Sequence, residues 1–501
     1  MIFRSRRFRR PPRSFLHPHS RFSQLCLALL VFFLLDAYLI VTRLPNPIRT
    51  ITPPYSAIGS SDGKSSGPEP VPSSSQDPAS TKKVGEAGEK ESSSSDVEDD
   101  AAFSGSRPKH GNPNNETIFI AAIFRGSEPI LRENWSPALV SLVKHLGPKS
   151  VYVSIIESGS WDGTKAALMD LDRMLGEVGV EREIDLGIDH EAQIEELKHG
   201  PVEGKVRNGW LYTGGKDVES GWGMRRIPHL ARLRNKAMKP LLRMWDEGKG
   251  RKFDRVLWIN DFVFTTTDVT TLLSTNSHSY AAACALDFAY PSQYYDTFAL
   301  RDSLGRKTAS LSWPYFYSPH SLRALQRNEA VPVQSCWNGM VVFDAQAWYP
   351  SPHNGGRAGN GDAEFQGLKF RGVSDSLARR HVEGSECCLI HSDNPLRETK
   401  GIFVNPNVRV AYRRNVYEAV NASGGWPGKR EAIAGMWRVR VGWATEWWLG
   451  WVERGRVRRR IGAWVAEGRG GGDGSEKREE MGVECLINEM QVLYQGGWKH
   501  L

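Results

Sequence analysis

From Thr117 onward, strand-like and helix-like runs alternate along the chain, and this regularity narrows the choice of folds more than any other property of the sequence. TIFIAAIF has the continuous apolar character of a buried strand, and WSPALVSLVKHL follows as a helix that stops at Gly147 and Pro148. The same order recurs in SVYVSIIE, TKAALMDLDRML, HLARLRNKAMKPLLRMW, RVLWIN, TDVTTLL and YAAACALD. The alternation predicts an α/β fold, with a mainly parallel sheet and helices on both faces.

Such sheets bind ligands at the carboxyl ends of their strands, so the loops after the apolar runs are the first places to search for function. The loop ESGSWDGT joins a strand to a helix and contains Glu157 and Asp162. Either carboxylate can accept hydrogen bonds from a base or a ribose, while the small residues let a ligand approach. An ordinary loop with a helix-capping residue is the alternative.

The apolar run RVLWIN ends in Asn260 and Asp261. A carboxylate in this position suits a divalent cation that binds a diphosphate, because hard cations prefer carboxylate oxygen. Val263 occupies the second acidic position of a D-x-D motif, so Asp261 is the single carboxylate here. A turn without metal is the alternative interpretation.

A third acidic group follows the next strand. Asp287 ends YAAACALD, and YYDTFALRDSLG then contains Asp296, Arg301 and Asp302. Acidic side chains at a strand end can supply further metal ligands or hold the hydroxyl groups of an acceptor. Solvated loop charges are the alternative.

Trp337, Asn338 and Gly339 lie in SCWNGMVVFD, directly before another strand-like run. A tryptophan offers a flat apolar face to a sugar ring, and the neighbouring amide can bond its hydroxyl groups. A core tryptophan beside a turn explains the same residues.

In GSECCLIHSDNP, Glu386 precedes a short apolar run that we predict as a strand, and His391 and Asp393 follow it. These three side chains can reach one site as a general acid or base or as metal ligands. A structural histidine is the alternative.

Seven arginines precede the first acidic residue, and they border an apolar run at 22–41. The run has the length of a membrane-spanning helix, and the arginine-rich flank places the N-terminus in the cytosol. Asp36 costs about 2.5–3.5 kcal/mol at the centre of a bilayer and less toward the far end of the span. A cleaved signal peptide is the alternative, but the run is longer than a usual signal core and no small-residue cleavage site follows.

The formal net charge is +8, and the N-terminal arginines account for all but +1 of it. A nearly neutral body lacks the basic surface that nucleic-acid binding requires. Residues 43–115 are rich in Ser, Pro, Gly and charge, which predicts a disordered stem. We therefore predict five segments: a cytosolic tail at 1–21, a transmembrane signal anchor at 22–42, the stem at 43–115, an α/β domain at 116–425 and a C-terminal segment at 426–501.

The C-terminal segment holds eight of the 17 tryptophans, among Arg and Gly. It is interpreted as an amphipathic appendage or as sequence from an incorrectly assigned exon, and it receives no function. Five of the six cysteines lie outside the apolar run, so at least one of them stays unpaired, and their connectivity is not deducible. Sequons at Asn115, Asn134 and Asn421 fit a lumenal domain.

Taken together, the ordered blocks resemble glycosyltransferase family 69, the fungal α-1,3-mannosyltransferases and capsule-associated proteins of polysaccharide biosynthesis. The resemblance rests on IFIAAIFR, SVYVSIIESGSWDGT, LARLRNKAMKPL, VLWINDFVF, ALDF, YYDTFALRD, VQSCWNGMVVFD, FRG, SECCLIHSD and VNPNVRVAY, between residues 117 and 420. It implies a GT-A-like mixed sheet, a GDP-mannose donor, a glycan acceptor, a divalent metal (Mn²⁺ or Mg²⁺) and retention of anomeric configuration. Together with the apolar run and its arginine flank, it predicts a single-pass type II protein of the Golgi or another secretory membrane, with the catalytic domain in the lumen.

Carried over by position, the resemblance assigns four sets of residues. The donor set is Arg125, Glu157, Asp162, Arg234 and Asn235, of which Arg234 suits phosphate through its fork of donors. The metal set is Asp261, His391 and Asp393. The sugar or acceptor set is Trp337, Asn338 and Gly339. The catalytic set is Asp287, Asp302 and Glu386.

Two other classes of function compete with sugar transfer. The single carboxylate at the metal position suggests a non-catalytic, membrane-tethered glycan-binding or scaffold protein. A glycan hydrolase would use paired carboxylates, either Asp296 with Asp302 or Glu386 with Asp393. The sequence leaves the acceptor and the oligomeric state open.

Overall fold

The structure is a computed structural model that describes residues 21–44, 112, 114–201, 208–214, 220–246, 250–350, 367–422, 426–469, 478–494 and 497–501. The predicted cytosolic tail and the predicted stem lie almost wholly outside these residues.

The helices and strands follow the order expected from the alternation. The helices are α1 (Arg21–Thr42), α2 (Glu128–Ile130), α3 (Ser136–Leu146), α4 (Thr164–Val178), α5 (His190–His199), α6 (Arg226–Asp246), α7 (Thr266–Leu273), α8 (Pro319–Gln326), α9 (Asp375–Ala378), α10 (Glu386–Ser392), α11 (Arg397–Lys400), α12 (Arg414–Val420) and α13 (Lys429–Arg469). The strands are β1 (Ile118–Phe124), β2 (Val151–Glu157), β3 (Glu181–Asp185), β4 (Trp210–Tyr212), β5 (Trp222–Met224), β6 (Arg255–Ile259), β7 (Ala282–Tyr290), β8 (Gln293–Tyr294), β9 (Arg301–Asp302), β10 (Val331–Ser335), β11 (Met340–Asp344), β12 (Glu383–Gly384), β13 (Ile402–Ala411), β14 (Leu486–Ile487), β15 (Gln491–Tyr494) and β16 (Gly497–His500).

One large sheet organises the fold, with the strand order β3-β2-β1-β6-β11-β7-β13-β10-β9 and β8 paired to β7. Strands β3, β2, β1 and β6 are parallel neighbours, and β13 is parallel to β7. Strand β11 is antiparallel to both β6 and β7, and β10 is antiparallel to β13 and β9. The predicted α/β fold with a mixed sheet flanked by helices is confirmed. The expectation of a mainly parallel sheet is met by six strands that share one direction, and β11, β10 and β8 depart from it.

Alternate residues of β1 belong to two different cores, because successive side chains of a strand point to opposite faces of the sheet. Ile118 and Ile120 pack in the core that also contains buried residues of α3 and α4. Phe119 and Ala121 pack in the core that contains buried residues of α6. Both faces of the sheet are therefore covered, which explains why the strand runs are continuously apolar.

The prediction of a strand in SECCLIHSD is wrong, because this segment forms α10. The Ser385 side chain caps the helix by accepting a hydrogen bond from the backbone N–H of Cys387 at 3.2 Å. Glu386 and His391 are buried at its two ends. In an apolar run this short, periodicity does not distinguish a buried helix from a strand. The serine before the run was the signal that favoured a helix.

The C-terminal segment is built into the same compact unit as the sheet. Strand β12 pairs with β14, a backbone bridge joins Arg225 to Val492, and a disulfide links Cys388 to Cys485. A second disulfide links Cys284 to Cys336, which leaves Cys387 as a free buried thiol. The prediction that at least one of the five cysteines outside the apolar run stays unpaired is therefore confirmed.

Helix α1 contains the predicted span, and Gln24–Thr42 is long and apolar enough to cross a membrane by length and composition. Most of its apolar side chains are exposed on the protein surface. This helix is compatible with a single-pass anchor.

Candidate active site

Six parallel strands end at one edge of the sheet, where the antiparallel strand β11 begins. The residues at or next to this edge are Arg125, Glu157, Asp261, Asp287, Gly339 and Tyr412. The expectation that polar residues gather at the carboxyl ends of the strands agrees with this placement.

Asp261 follows β6 and is half-buried. Its Oδ2 accepts a hydrogen bond from the Ser127 hydroxyl at 3.1 Å, and burial raises the pKa of its carboxyl group. The preceding residue is fixed from two sides, because the Asn260 N–H donates to the carbonyl of Gly339 and the Asn260 Oδ1 accepts from the Trp337 indole at 3.2 Å. The Asp261 carboxylate is thus held at a defined position on the edge.

Asp287 and Asp296 form a second acidic group in this region. Asp287 is fully buried, and its Oδ1 accepts a hydrogen bond from the backbone N–H of Asp296 at 3.2 Å. Its Oδ2 has no hydrogen-bond partner among the residues the structure describes. Burial, followed by the charge of Asp296, raises the pKa of Asp287 well above its usual range. A buried carboxyl without full hydrogen bonding is costly unless it holds a proton or a ligand.

Asp296 is held by the main chain of the turn that precedes β11. Its Oδ2 accepts from the backbone N–H of Asn338 at 3.1 Å, and its Oδ1 accepts from that of Ala299 at 3.1 Å. Burial raises the pKa of Asp296. This carboxyl group is therefore fixed beside Asp287.

Asn338 and Gly339 shape the site through the backbone. Asn338 is fully buried, its amide nitrogen donates to the carbonyl of Ala285 at 2.8 Å, and its Oδ1 lies 2.5 Å from the Tyr294 hydroxyl. Gly339 has a φ of 77°, and a Cβ there would lie 2.8 Å from the Phe262 ring and 3.3 Å from the Asp287 Cβ. Only glycine allows so close an approach, so neither residue presents a side chain to a sugar.

Two tyrosines border the acidic cluster. The rings of Tyr295 and Tyr412 lie 4.9 Å apart, and Tyr295 is 53% exposed. Burial raises the pKa of Tyr412, and the charges of Asp287, Asp261 and Asp296 raise it further. Tyr412 therefore lies within electrostatic range of all three carboxylates.

Arg234, Glu386 and Trp337 pack together beneath the edge. The Arg234 Nε donates to the Glu386 Oε1 at 3.2 Å, and the guanidinium lies 4.2 Å from the centre of the Trp337 ring. Trp337 is 2% exposed and packs in the core against Arg234. The structure therefore contradicts the prediction that Trp337 offers an open face to a sugar. Asn235, also predicted in the donor set, exchanges two hydrogen bonds with the backbone of Phe370.

The remaining donor-set residues surround the loop after β2. The Glu157 Oε1 accepts from the backbone N–H of Ser160 at 2.6 Å, and Lys165 lies 3.6 Å from its other oxygen. Asp162 accepts hydrogen bonds from the Thr164 hydroxyl at 2.6 Å and from the backbone of Glu128 at 3.1 Å, so it braces the loop. The Arg125 guanidinium donates to Gln193 at 2.9 Å and lies 5.5 Å from the centre of the Trp161 ring.

The structure does not place His391 and Asp393 with Asp261. His391 is fully buried, its Nε2 contacts the carbonyl of Cys336 at 2.5 Å, and burial lowers its pKa to about 4. It also lies beside Cys284 and Cys336, whose sulfurs are joined as a disulfide and so offer no thiolate to a metal. Asp393 instead forms a two-point ion pair with Arg371, at 2.6 and 2.9 Å.

Asp302 is also separate from the cluster. It lies on β9, five strand positions from β6, which is about 24 Å at the usual strand spacing. Its carboxylate accepts from the backbone N–H groups of Leu304, Arg306 and Ser318, which close a turn. Among these described residues, neither acidic pair proposed for a hydrolase is formed, because Glu386 bonds Arg234 and Asp393 bonds Arg371.

Ser127, Tyr294 and Tyr412 complete the site, and none of them was predicted. Ser127 and Tyr412 each follow a strand end, so the rule that located Asp261 could have located them. Tyr294 is a fully buried phenol whose partner Asn338 is distant in sequence, and the sequence carries no signal for that contact.

The α/β fold and its acidic edge suit a glycosyltransferase, and the match to a family of known mannosyltransferases shows this class. The family model described as Cryptococcal mannosyltransferase 1 matches residues 117–393, more than half of the chain, and the chain belongs to that family. The predicted membership in a fungal mannosyltransferase family is confirmed.

One curated relative and several solved structures are similar to this chain. The Alpha-1,3-mannosyltransferase CMT1 of Cryptococcus neoformans var. neoformans serotype D is 26% identical over 300 residues, which cover 56% of this chain and 54% of that protein. The chain thus matches about half the length of this relative. A Pyrobaculum calidifontis mannosyltransferase solved with GDP-Man and Mn²⁺ aligns at a TM-score of 0.30 and 10% identity, over 70% of this chain and 76% of its own. GalNAc-T7 with UDP, GalNAc and Mn²⁺ aligns at 0.32 and 12% identity, over 68% and 50%.

Proposed function

We propose that this chain transfers mannose from GDP-mannose to a mannosyl glycan or polysaccharide, in an α-1,3 linkage and with retention of configuration. The observation that carries the proposal is the placement of Asp261, Asp287 and Asp296 at the carboxyl edge of the sheet. Asp296 bonds Asp287 there, and Gly339 lies against both Asp287 and the backbone of Asn260, the residue before Asp261. Family membership supports the transfer of a sugar, and the similarity to the Cryptococcus α-1,3-mannosyltransferase supports the sugar and the linkage.

A divalent cation, Mn²⁺ or Mg²⁺, fits the chemistry of this cluster. Hard cations take carboxylate oxygens, and burial raises the pKa of Asp261, which a nearby positive charge would reverse. Asp261 is the principal ligand in this proposal, with the unpartnered Oδ2 of Asp287 next to it. When bound, the cation supplies positive charge that stabilises the departing diphosphate.

The chain's own residues bind the donor and move the proton. Glu157 and Arg125 lie at the ends of β2 and β1, where they bind the nucleotide part of the donor. The acceptor oxygen attacks the anomeric carbon on the face of the leaving group, the bond from that carbon to the phosphate oxygen breaks, and its electron pair leaves with the nucleoside diphosphate. Asp287 takes the acceptor proton, because the charge of a bound cation would oppose the effect of burial and keep this carboxyl ionised in the loaded enzyme.

We further propose that α1 anchors the protein as a single-pass type II protein of the Golgi or another secretory membrane. Its apolar length and the arginines before it support this topology. Two disulfides in the remainder of the chain fit an oxidising lumen.

The test is an assay of the purified full chain in detergent with GDP-mannose, Mn²⁺ and mannosyl oligosaccharides, beside a panel of other nucleotide sugars. We expect a mannosylated product only with GDP-mannose and only with the cation. Metal-dependent donor binding without transfer to any acceptor would favour the scaffold alternative. Release of free sugar without a nucleotide donor would favour the hydrolase.

A further inference from the structure

Helix α13 carries a stripe of exposed apolar side chains. Val441, Trp448 and Trp451 are 70%, 56% and 59% exposed, and the rings of the two tryptophans lie 5.7 Å apart. Their spacing of seven and three residues places them on one face of the helix. Soluble surfaces rarely leave such a row uncovered, so the stripe marks a contact with something outside this unit.

The opposite face of α13 packs on the protein. Val457 and Trp464 are buried there, and the Trp464 indole donates to the Ser376 hydroxyl at 2.9 Å. Val457 follows Trp448 by nine residues, which is half a turn away around the helix axis. The stripe therefore points away from the body of the protein.

The stripe is continuous with α1. Trp437, four residues before Val441, lies 4.8 Å from the Phe33 ring, measured between ring centres. One turn further on each helix, Arg440 forms an ion pair with Asp36 at 2.5 Å. The one acidic residue of the apolar helix thus has its partner on the helix that carries the stripe.

We infer that the outward face of α13 lies in the boundary between the headgroups and the acyl chains of the same bilayer that α1 crosses. The inference rests on the proposed anchor. Asp36 lies six residues before Thr42, or about 9 Å along the helix axis. Surface-bound helices bury their apolar face by about 5–10 Å, so the depth of the Asp36–Arg440 pair agrees with the depth of such a helix.

The charge of α13 also suits phospholipid headgroups. Its sequence contains ten basic and four acidic residues, and exposed arginines follow the stripe at Arg454, Arg456, Arg458 and Arg459. Guanidinium groups bind phosphate through paired donors, and tryptophan is enriched where headgroups meet acyl chains. The occupant is therefore a lipid surface, and a second protein is an outcome that the test separates.

The test uses the full chain in nanodiscs of mixed neutral and anionic phospholipid, with Cys26→Ser to remove the exposed thiol. Single cysteines replace Trp448, Trp451, Leu30, Trp443 or Met169, and each carries an environment-sensitive fluorophore. Leu30 reports on the span, Trp443 on another face of α13, and Met169 on the exposed surface of α4. We expect acyl-chain nitroxides to quench the fluorescence of labels at positions 448, 451 and 30 at least threefold more strongly than that of labels at positions 443 and 169. A water-soluble quencher should give the reverse order.

Lipid quenching at 30 together with aqueous quenching at 448 and 451 would overturn the inference and leave the anchor intact. Aqueous quenching at 30 would instead refute the anchor. Protection at 448 and 451 from both quenchers would indicate a protein partner and would also overturn the inference. A second experiment tests the contact between α1 and α13. The double variant Asp36→Cys with Arg440→Cys should form a disulfide under mild oxidation in the nanodisc, whereas Asp36→Cys with Arg459→Cys should not. Equal cross-linking of both pairs would contradict the contact between the two helices.

Discussion

The backbone N–H of Asp296 donates a hydrogen bond to Oδ1 of Asp287 at 3.2 Å, so the peptide that carries one acid holds the carboxyl group of another. Only one oxygen of Asp287 is satisfied in this way among the residues described. The arrangement favours a proton on Asp287, because burial and the charge of Asp296 both oppose ionisation.

This relationship predicts how stability depends on pH. The native state binds the Asp287 proton at pH values where the unfolded chain, with a pKa of about 3.9, has lost it. Stability of the metal-free protein should therefore fall as pH rises from about 4 through the raised native pKa. Asp287→Asn has no carboxyl proton to lose. The urea unfolding midpoint of this variant should therefore rise relative to that of the wild type as the pH increases from 4 to 8.

Asp170→Asn is the matched control, because the Asp170 carboxylate is exposed and pairs with Arg132. It should show no such gain. A midpoint difference between Asp287→Asn and the wild type that stays constant with pH would contradict the raised native pKa.

Asp261→Ala should reduce mannose transfer at least about 100-fold, the scale of losing one electrostatic contact to a transition state. Its thermal midpoint should change little, because the substitution removes a carboxylate that burial already penalises. Mn²⁺ titration calorimetry should show the loss of a binding site. Asp393→Asn is the control, because Asp393 pairs with Arg371, and this variant should still bind Mn²⁺. Loss of Mn²⁺ binding in Asp393→Asn but not in Asp261→Ala would contradict the assignment of Asp261 as the metal ligand.

Among the asparagines of the three sequons, all of which the structure describes, Asn115 alone is exposed. Asn134 is buried with its carbonyl bonded to Arg414, and the Asn421 amide nitrogen donates to two backbone carbonyls. Asn115→Gln should therefore abolish the endoglycosidase-sensitive mobility shift, whereas Asn134→Gln and Asn421→Gln should leave it unchanged. A shift that persists in Asn115→Gln would show that another sequon is accessible during folding.

Replacing Cys388 and Cys485 together by serine should destabilise the protein by about 2–5 kcal/mol, the usual cost of losing a disulfide. The bridge joins residues 97 apart, so its loss frees a long segment in the unfolded chain. Differential scanning calorimetry should record a lower midpoint. Cys26→Ser should leave the midpoint unchanged, and equal midpoints for the double variant and the wild type would show that the bridge is absent in solution.

The sequence predicted the central strands of the sheet well, because they are buried on both faces and their apolar runs end at clear signals such as Gly126 and Asn260. It predicted the edge that carries Asp261 and Asp287 for the same reason. It did not predict which side chains are open at that edge. Trp337 and Asn338 look equally suited to a sugar or to a core, and the contacts that decide the matter come from Arg234 and Tyr294, which are distant in sequence.

The short run at 386–392 shows a second limit. Glu386 and His391 seemed to flank a strand, and a helix instead buries both of them against partners on other elements. The ionised or neutral state of such residues depends on burial, which spacing along the chain does not determine.

The region shared with the family ends at residue 393, yet the bridge at Cys388 closes on Cys485. An expression clone trimmed to the shared region would lose strand β14, the backbone contact to Arg225 and one sulfur of the bridge, while keeping every acidic residue of the candidate site. Inactivity of such a clone would report a misfolded product and would say nothing about chemistry. Clones of this chain are better bounded by the position of the second sulfur than by the end of the recognisable motifs.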